Sequence, residues 1–201
     1  MTSALCLFLL LCTSAVCLKG ASDTTQAVPT GVYRLRMTAA GGLQRSFFAQ
    51  PRTQFDGGRT ADGASLVIRA LWQPEHLLSV GLVSGFTTIS RDRLDNPLGD
   101  GRVELTLSAI PLQMAFAMRF AGFEVGTGVG GYLLISTAAV RAETTTASSQ
   151  FEIGVSAWLG YTVQLTDRLG VGGEVCLHNL SYRRVTSVAP QLRLRYDLFT
   201  Y

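Results

Sequence analysis

The sequence predicts an all-β protein, an eight-stranded antiparallel up-and-down barrel that crosses a membrane with its strands. Three observations carry this reading. The first is the stretch Phe151–Leu177. There Phe151, Ile153, Val155, Ala157, Leu159, Tyr161, Val163 and Leu165 fall on one parity, and Leu169, Val171, Val175 and Leu177 resume it after a polar turn, Thr166–Arg168. The second is the opposite row, Glu152, Gly154, Ser156, Trp158, Gly160 and Thr162, then Gly170, Gly172, Glu174, Cys176 and His178. A strand with an oily outer face and a small or polar inner face suits a lipid-embedded barrel. The third is the spacing. The odd connections read as roughly 24, 11, 13 and 5 residues and the even ones as roughly three or four, the alternation of long loops and short turns seen in outer-membrane barrels.

Taken in order, residues 1–21 read as an export signal, 22–29 as a flexible lead-in and 30–201 as the barrel. Ala4–Leu18 is apolar but shorter than the roughly twenty residues of a spanning helix. No Lys or Arg precedes Lys19. Cleavage near Cys17 and near Ser22 both fit, and lipidation of Cys17 is a lesser alternative. Past this segment only Cys176 remains, so no internal disulfide framework is expected.

The first strand, GVYRLRMTAA, points Tyr33, Leu35, Met37 and Ala39 outward and Arg34, Arg36 and Thr38 inward. Gly41–Ala64 reads as a long loop, with Phe47-Phe48 either extending the strand or forming an aromatic tip. The second strand, SLVIRALW, turns Arg69 inward and ends on Trp72, the position of an interfacial aromatic. The third runs from about Leu77 to Ser90, with Leu78, Val80, Leu82 and Phe86 outward, and 91–101 reads as a second loop. In the fourth, Val103, Leu105 and Leu107 are odd while Ile110, Leu112, Met114, Phe116 and Met118 are even. The phase therefore flips beside Pro111, and a bulge is expected there. The fifth strand turns Glu124, Gly126, Gly128, Gly130 and Tyr132 inward. Residues 137–150 read as a Thr/Ser/Ala-rich loop. The hairpin over 151–177 follows, and the last strand faces Leu192, Leu194, Tyr196 and Leu198 out and Gln191, Arg193, Arg195 and Asp197 in.

Three stretches also match a known pattern. VYRLRMTAA, IPLQMAFAMRF followed by FEVGTGVGGYLL, and GYTVQLTDRLGVGGEV resemble the strands of the small eight-stranded outer-membrane barrels, nearest the OmpW group and more loosely OmpX. The resemblance covers most of the chain after the signal. It implies outer-membrane lipid as the surroundings, both termini in the periplasm, long loops outside, and passive passage of small hydrophobic solutes. It also implies that the last strand, ending on Tyr201, is read by the barrel-assembly machinery. Two features depart from OmpW: many inward charges, and the ending YDLFTY in place of a Tyr-x-Phe ending.

The candidate site is the lumen, a polar network or solute path made of Arg34, Arg36, Arg69, Glu104, Glu124, Glu152, Trp158, Glu174, Arg193 and Arg195. Arg34 and Arg36 should meet Arg193 and Arg195 where the last strand closes on the first, with Glu174 as an acidic neighbour. A plugged structural or surface-interaction barrel, OmpX-like, is the alternative function, and a soluble lipocalin-like barrel is a further one. No enzyme is expected. His178, Ser181 and Glu174 are the only catalytic-looking trio, and opposite parity separates Ser181 from His178. His76 reads as a surface residue. No cofactor is expected, and two His with one Cys outside the signal leave no metal set. A net charge of +3 without a basic run excludes nucleic acid as an expected partner.

Overall fold

The computed structural model describes residues 33–48, 59–74, 78–95, 102–140 and 144–200. The eight strands are β1 (Arg34–Phe48), β2 (Asp62–Gln73), β3 (Leu78–Asp95), β4 (Arg102–Phe120), β5 (Phe123–Val140), β6 (Thr144–Gln164), β7 (Leu169–Leu180) and β8 (Val185–Thr200). A two-residue ladder, Arg59–Thr60, precedes β2 and pairs with Asp92 and Arg91 of β3. Each strand runs antiparallel to its neighbour, and β8 pairs back onto β1 from Arg34↔Thr200 to Phe48↔Val185, so the sheet is closed. Both ends of the barrel's chain thus lie at the end of the short turns 74–77, 121–122 and 165–168, the turn end. Residues 49–61, 96–101, 141–143 and 181–184 connect strands at the other, the loop end.

The outward row follows the sequence closely. Leu82, Leu159, Val163 and Leu194 are all exposed in the isolated chain, forming an apolar belt around the barrel. Aromatic residues collect at the turn end of this belt. Tyr33 stacks on Trp72 with centroids 6.3 Å apart, and Phe123 packs on Tyr161 at 4.8 Å. Such a girdle belongs at a membrane–water boundary. The turn between β4 and β5 needs only Ala121 and Gly122, both with positive φ (49° and 88°), the twist that a two-residue hairpin requires.

Two expectations are corrected. The strands are longer than the period-two pattern suggests. β1 continues through Gly41 and Gly42 to Phe48, β3 reaches Asp95, and β5 and β6 extend over most of 137–150. The described parts of the loops expected over 41–64, 91–101 and 137–150 are therefore almost all ladder. Apolar alternation marks the central belt; in β6, backbone pairing goes on beyond it through exposed polar residues. Thr146–Gln150 are exposed and still in register with Ala138–Leu134. Of Phe47-Phe48, the strand-extending reading holds.

The bulge is not at Pro111. β4 and β5 stay in unbroken register from Val103↔Val140 to Phe120↔Phe123. The shift lies on the other side of β4, in β3 between Thr88 and Ser90, where Ile89 is the extra residue. Beside Pro111, which has no N–H to donate, pairing to β3 lapses between Ala109 and Leu112. The odd row of β4 is inward throughout: Leu107, Ala109, Ala115 and Ala117 are buried, and Leu112, Met114, Phe116 and Met118 are exposed. The apparent phase flip is a change in what the lumen holds.

Candidate functional site

Seven of the ten residues expected to line the lumen meet in one buried ion cluster in the turn-end half: Arg36, Arg69, Glu124, Trp158, Glu174, Arg193 and Arg195. Arg69, on the inward row of β2, donates from Nη1 and Nη2 to the two oxygens of Glu174 at 2.8 and 2.6 Å, a bidentate pair. The face of the same guanidinium stacks on Trp158 at 4.4 Å. The Trp158 indole Nε1 donates to Glu124 Oε1 at 3.1 Å. Arg193 bridges both acids, 2.5 Å from Glu124 Oε1 and 3.7 Å from Glu174 Oε2. Arg36 Nε donates to Asp197 Oδ1 at 3.0 Å, Nη2 donates to Gln73 Oε1 at 3.0 Å, and Nη1 stands 3.7 Å from Glu124. Arg195 donates to Gln164 and lies 3.5 Å from Asp197 Oδ1.

The closure of β8 on β1 brings Arg36, though not Arg34, beside Arg193 and Arg195. Arg36 sits opposite Asp197, Thr38 opposite Arg195 and Ala40 opposite Arg193. Glycines on the facing wall make the room. A Cβ at Gly160 would come 2.8 Å from Arg193 Nη1, and one at Gly126 would collide with the Trp158 ring.

The other three expected residues are elsewhere. Arg34 keeps the inward parity but lies exposed on the turn-end rim, where the barrel has run out of wall. Glu104 does not line the lumen: unbroken register puts it on the outward, even row of β4, half-buried near the loop end opposite Arg93 and Ala139. Glu152 is buried but serves the β7–β8 turn. Its Oε1 accepts from the backbone N–H groups of Tyr182 and Arg183 at 2.8 and 3.0 Å, and Arg183 Nε is 3.8 Å from its Oε2.

The loop-end half is a different interior. Ile89, Leu107, Ala109, Tyr132, Leu134, Leu180 and Val185 form an apolar cluster with Phe48 against it. The expectation of a charged or glycine lumen throughout is therefore corrected. Leu134 and Leu180 lie on the inward parity already identified: Leu134 follows Glu124 and Tyr132, and Leu180 follows Glu174 and His178. Continuing that parity past the last charge was the available signal. Between the halves, Tyr132 OH stands 3.0 Å from His178 Nδ1, and His178 Nε2 is 3.4 Å from Cys176 Sγ. A polar layer completes the section: Gln113 accepts from Ser156 Oγ at 2.7 Å, Gln191 donates to Ser65 at 2.8 Å, and Thr87 bonds to Gln44. Ser181 is exposed in the β7–β8 turn and Glu174 is engaged by Arg69, so the trio with His178 is not assembled. Among the described residues no three His, Cys, Asp or Glu are grouped to hold a metal; His76 lies outside them.

Above the apolar cluster a cavity of about 360 Å³ opens at the loop end, walled by Phe48, Leu105, Leu107 and Val185 and rimmed by Gln150, Tyr182 and Arg183. At the turn end a recess of about 280 Å³ is lined by Arg34, Asp167, Arg168, Asp197 and Leu198. Side chains 0–5% exposed fill the section between them, among them Arg69, Trp158, Glu174, Cys176, His178 and Arg193.

No family model matches the chain, and no curated protein matches it. Solved structures do. A major outer membrane protein of Thermus thermophilus is similar at 14% identity and a TM-score of 0.50, over 83% of this chain and 99% of that one. Neisserial surface protein A is similar at 13% identity and a TM-score of 0.46, over 84% and 99%. The attachment invasion locus protein Ail of Yersinia pestis is similar at 10% identity and a TM-score of 0.44, again over 84% and 99%. With its closed sheet of eight antiparallel strands, this chain has the fold of the small eight-stranded outer-membrane β-barrels.

Proposed function

We propose that the protein resides in an outer membrane as a sealed, non-enzymatic barrel that acts at its loop end, the OmpX-like alternative. The carrying observation is the filled cross-section. A passive conduit needs a continuous path, and Arg69, Trp158, Glu174 and Arg193 occupy the lumen with at most 4% exposure each. In a small barrel the interior is just wide enough to be filled by side chains. In this reading the outer belt faces lipid, both termini face the periplasm, and the strand ending on Tyr201 engages the assembly machinery. The loop end then meets the outside, where its polar extended strands and its cup are available to surface partners.

One observation favours a second reading, OmpW-like passage of small hydrophobic solutes. The loop-end cavity is floored by apolar side chains and would admit such a solute part of the way. Purified barrel in planar bilayers and in liposomes loaded with an apolar fluorescent probe separates the two. The sealed reading expects no conductance steps and no faster probe transfer than empty liposomes. Faster probe transfer would establish passage instead.

A further inference from the structure

We propose that the turn-end half of the lumen holds one small oxyanion of the phosphate or sulfate class, coordinated by Arg36, Arg119 and Arg195. The inward row there carries five arginines, Arg36, Arg69, Arg119, Arg193 and Arg195, against three carboxylates, Glu124, Glu174 and Asp197. Arg119 belongs to this row because it pairs directly opposite the inward Glu124 and continues the buried parity of Ala115 and Ala117. Two positive charges are thus left over. Guanidinium does not deprotonate in proteins, and an uncompensated buried charge is costly, so the imbalance calls for an anion.

The shortage of carboxylate lies around Asp197: Arg69 Nε and the Arg193 nitrogens also lack hydrogen-bond partners, but both arginines keep carboxylates beside them. Glu174 is taken by Arg69, and Glu124 is shared by Arg193 and Trp158. A single oxygen, Asp197 Oδ1, serves both Arg36 and Arg195. Arg195, 1% exposed, is left with Nε and Nη1 lacking a hydrogen-bond partner, and Arg36 with Nη1 lacking one. Arg119 is half-buried and makes no hydrogen bond or ion pair among the described residues. Arg36 and Arg195 already meet at Asp197 Oδ1, and Arg119 stands on the same inward row, so a tetrahedral oxyanion there would accept from planar guanidinium forks. The recess beside Asp197, with Arg34 and Arg168 on its walls, gives an anion a basic approach from the turn end.

The test is titration of inorganic phosphate into the purified barrel in non-ionic detergent, followed by calorimetry at ionic strength held constant with chloride. One saturable site is expected. Arg119→Gln, which removes a half-exposed group and leaves the packed pairs intact, should weaken binding about tenfold, the loss of one charge-assisted contact. Arg119→Lys should weaken it less, and Arg183→Gln at the loop end should leave it unchanged. No saturable binding of phosphate or sulfate above chloride, or unchanged binding by Arg119→Gln, would overturn the site. Repeating the titration in phosphatidylcholine vesicles with and without phosphatidic acid identifies the source. Equal binding is expected of a free ion in the lumen, and competition by phosphatidic acid would overturn the free ion in favour of a lipid headgroup.

Discussion

The two halves of the lumen fill the same tube differently: the turn-end half sets ion pairs among Val67, Leu71, Val83 and Ala117, and the loop-end half closes around a largely apolar cluster. The turn-end half packs charged groups, each needing a partner of the other sign: Arg69 with Glu174, Arg193 with Glu124, Arg36 with Asp197. The loop-end half packs Ile89, Leu134, Leu180 and Val185, which need only contact. The difference lies in how each half fails. A charge deprived of its partner inside a low-dielectric tube stays charged or drags water in. An apolar residue deprived of a neighbour leaves a void. The first half therefore locks the barrel shut, and the second forms a floor on which a cup can open.

The largest expected effect probes that contrast. Glu174→Ala strips Arg69 and Arg193 of their shared acid and should destabilise the barrel by about 3–5 kcal/mol, read as the urea midpoint of the folded, unheated gel band. Replacing the pair together, Arg69→Met with Glu174→Leu, should recover most of the loss; no recovery would mean that the pair acts through the wider network. Next comes Leu134→Ala in the apolar half, at roughly 2–4 kcal/mol by the same assay.

Tyr132→Phe, at their boundary, removes the hydroxyl that meets His178 Nδ1 and should cost about 1 kcal/mol. The smallest effect is outside both halves. Arg45 and Asp62 are 3.8 Å apart with side chains 71% and 65% exposed, and Arg45→Ala should move the midpoint by less than about 0.5 kcal/mol.

The outer face was legible from sequence because an apolar residue recurs at every second position, a rule that Phe151 to Val163 and Leu192 to Tyr196 obey without exception. The ion cluster was partly legible. Closing the last strand on the first puts Arg36 near Arg195, and parity turns Glu174 inward. Which acid would take which arginine depended on register, and register shifts at Leu35/Arg36 and at Thr88/Ser90 are invisible in composition. The strand ends were illegible for a different reason. Thr146–Gln150 are exposed on both faces and carry no apolar alternation, and in 41–48 the inward Gln44 and Ser46 are polar although buried. The apolar upper lumen was hidden by a false symmetry: leucines at 105 and 107 look like lipid-facing residues until unbroken pairing with β5 shows that the odd row never leaves the interior.

Cys176 offers the most direct test of the sealed lumen. It is 1% exposed, beside Arg69 and His178 at mid-height in the barrel. With Cys6, Cys12 and Cys17 replaced by Ser, it is the single thiol of the chain. Folded barrel in liposomes, treated with a small charged methanethiosulfonate reagent, should stay unlabelled until it is heat-unfolded. Prompt labelling of the folded barrel, from either side of the membrane, would contradict the account.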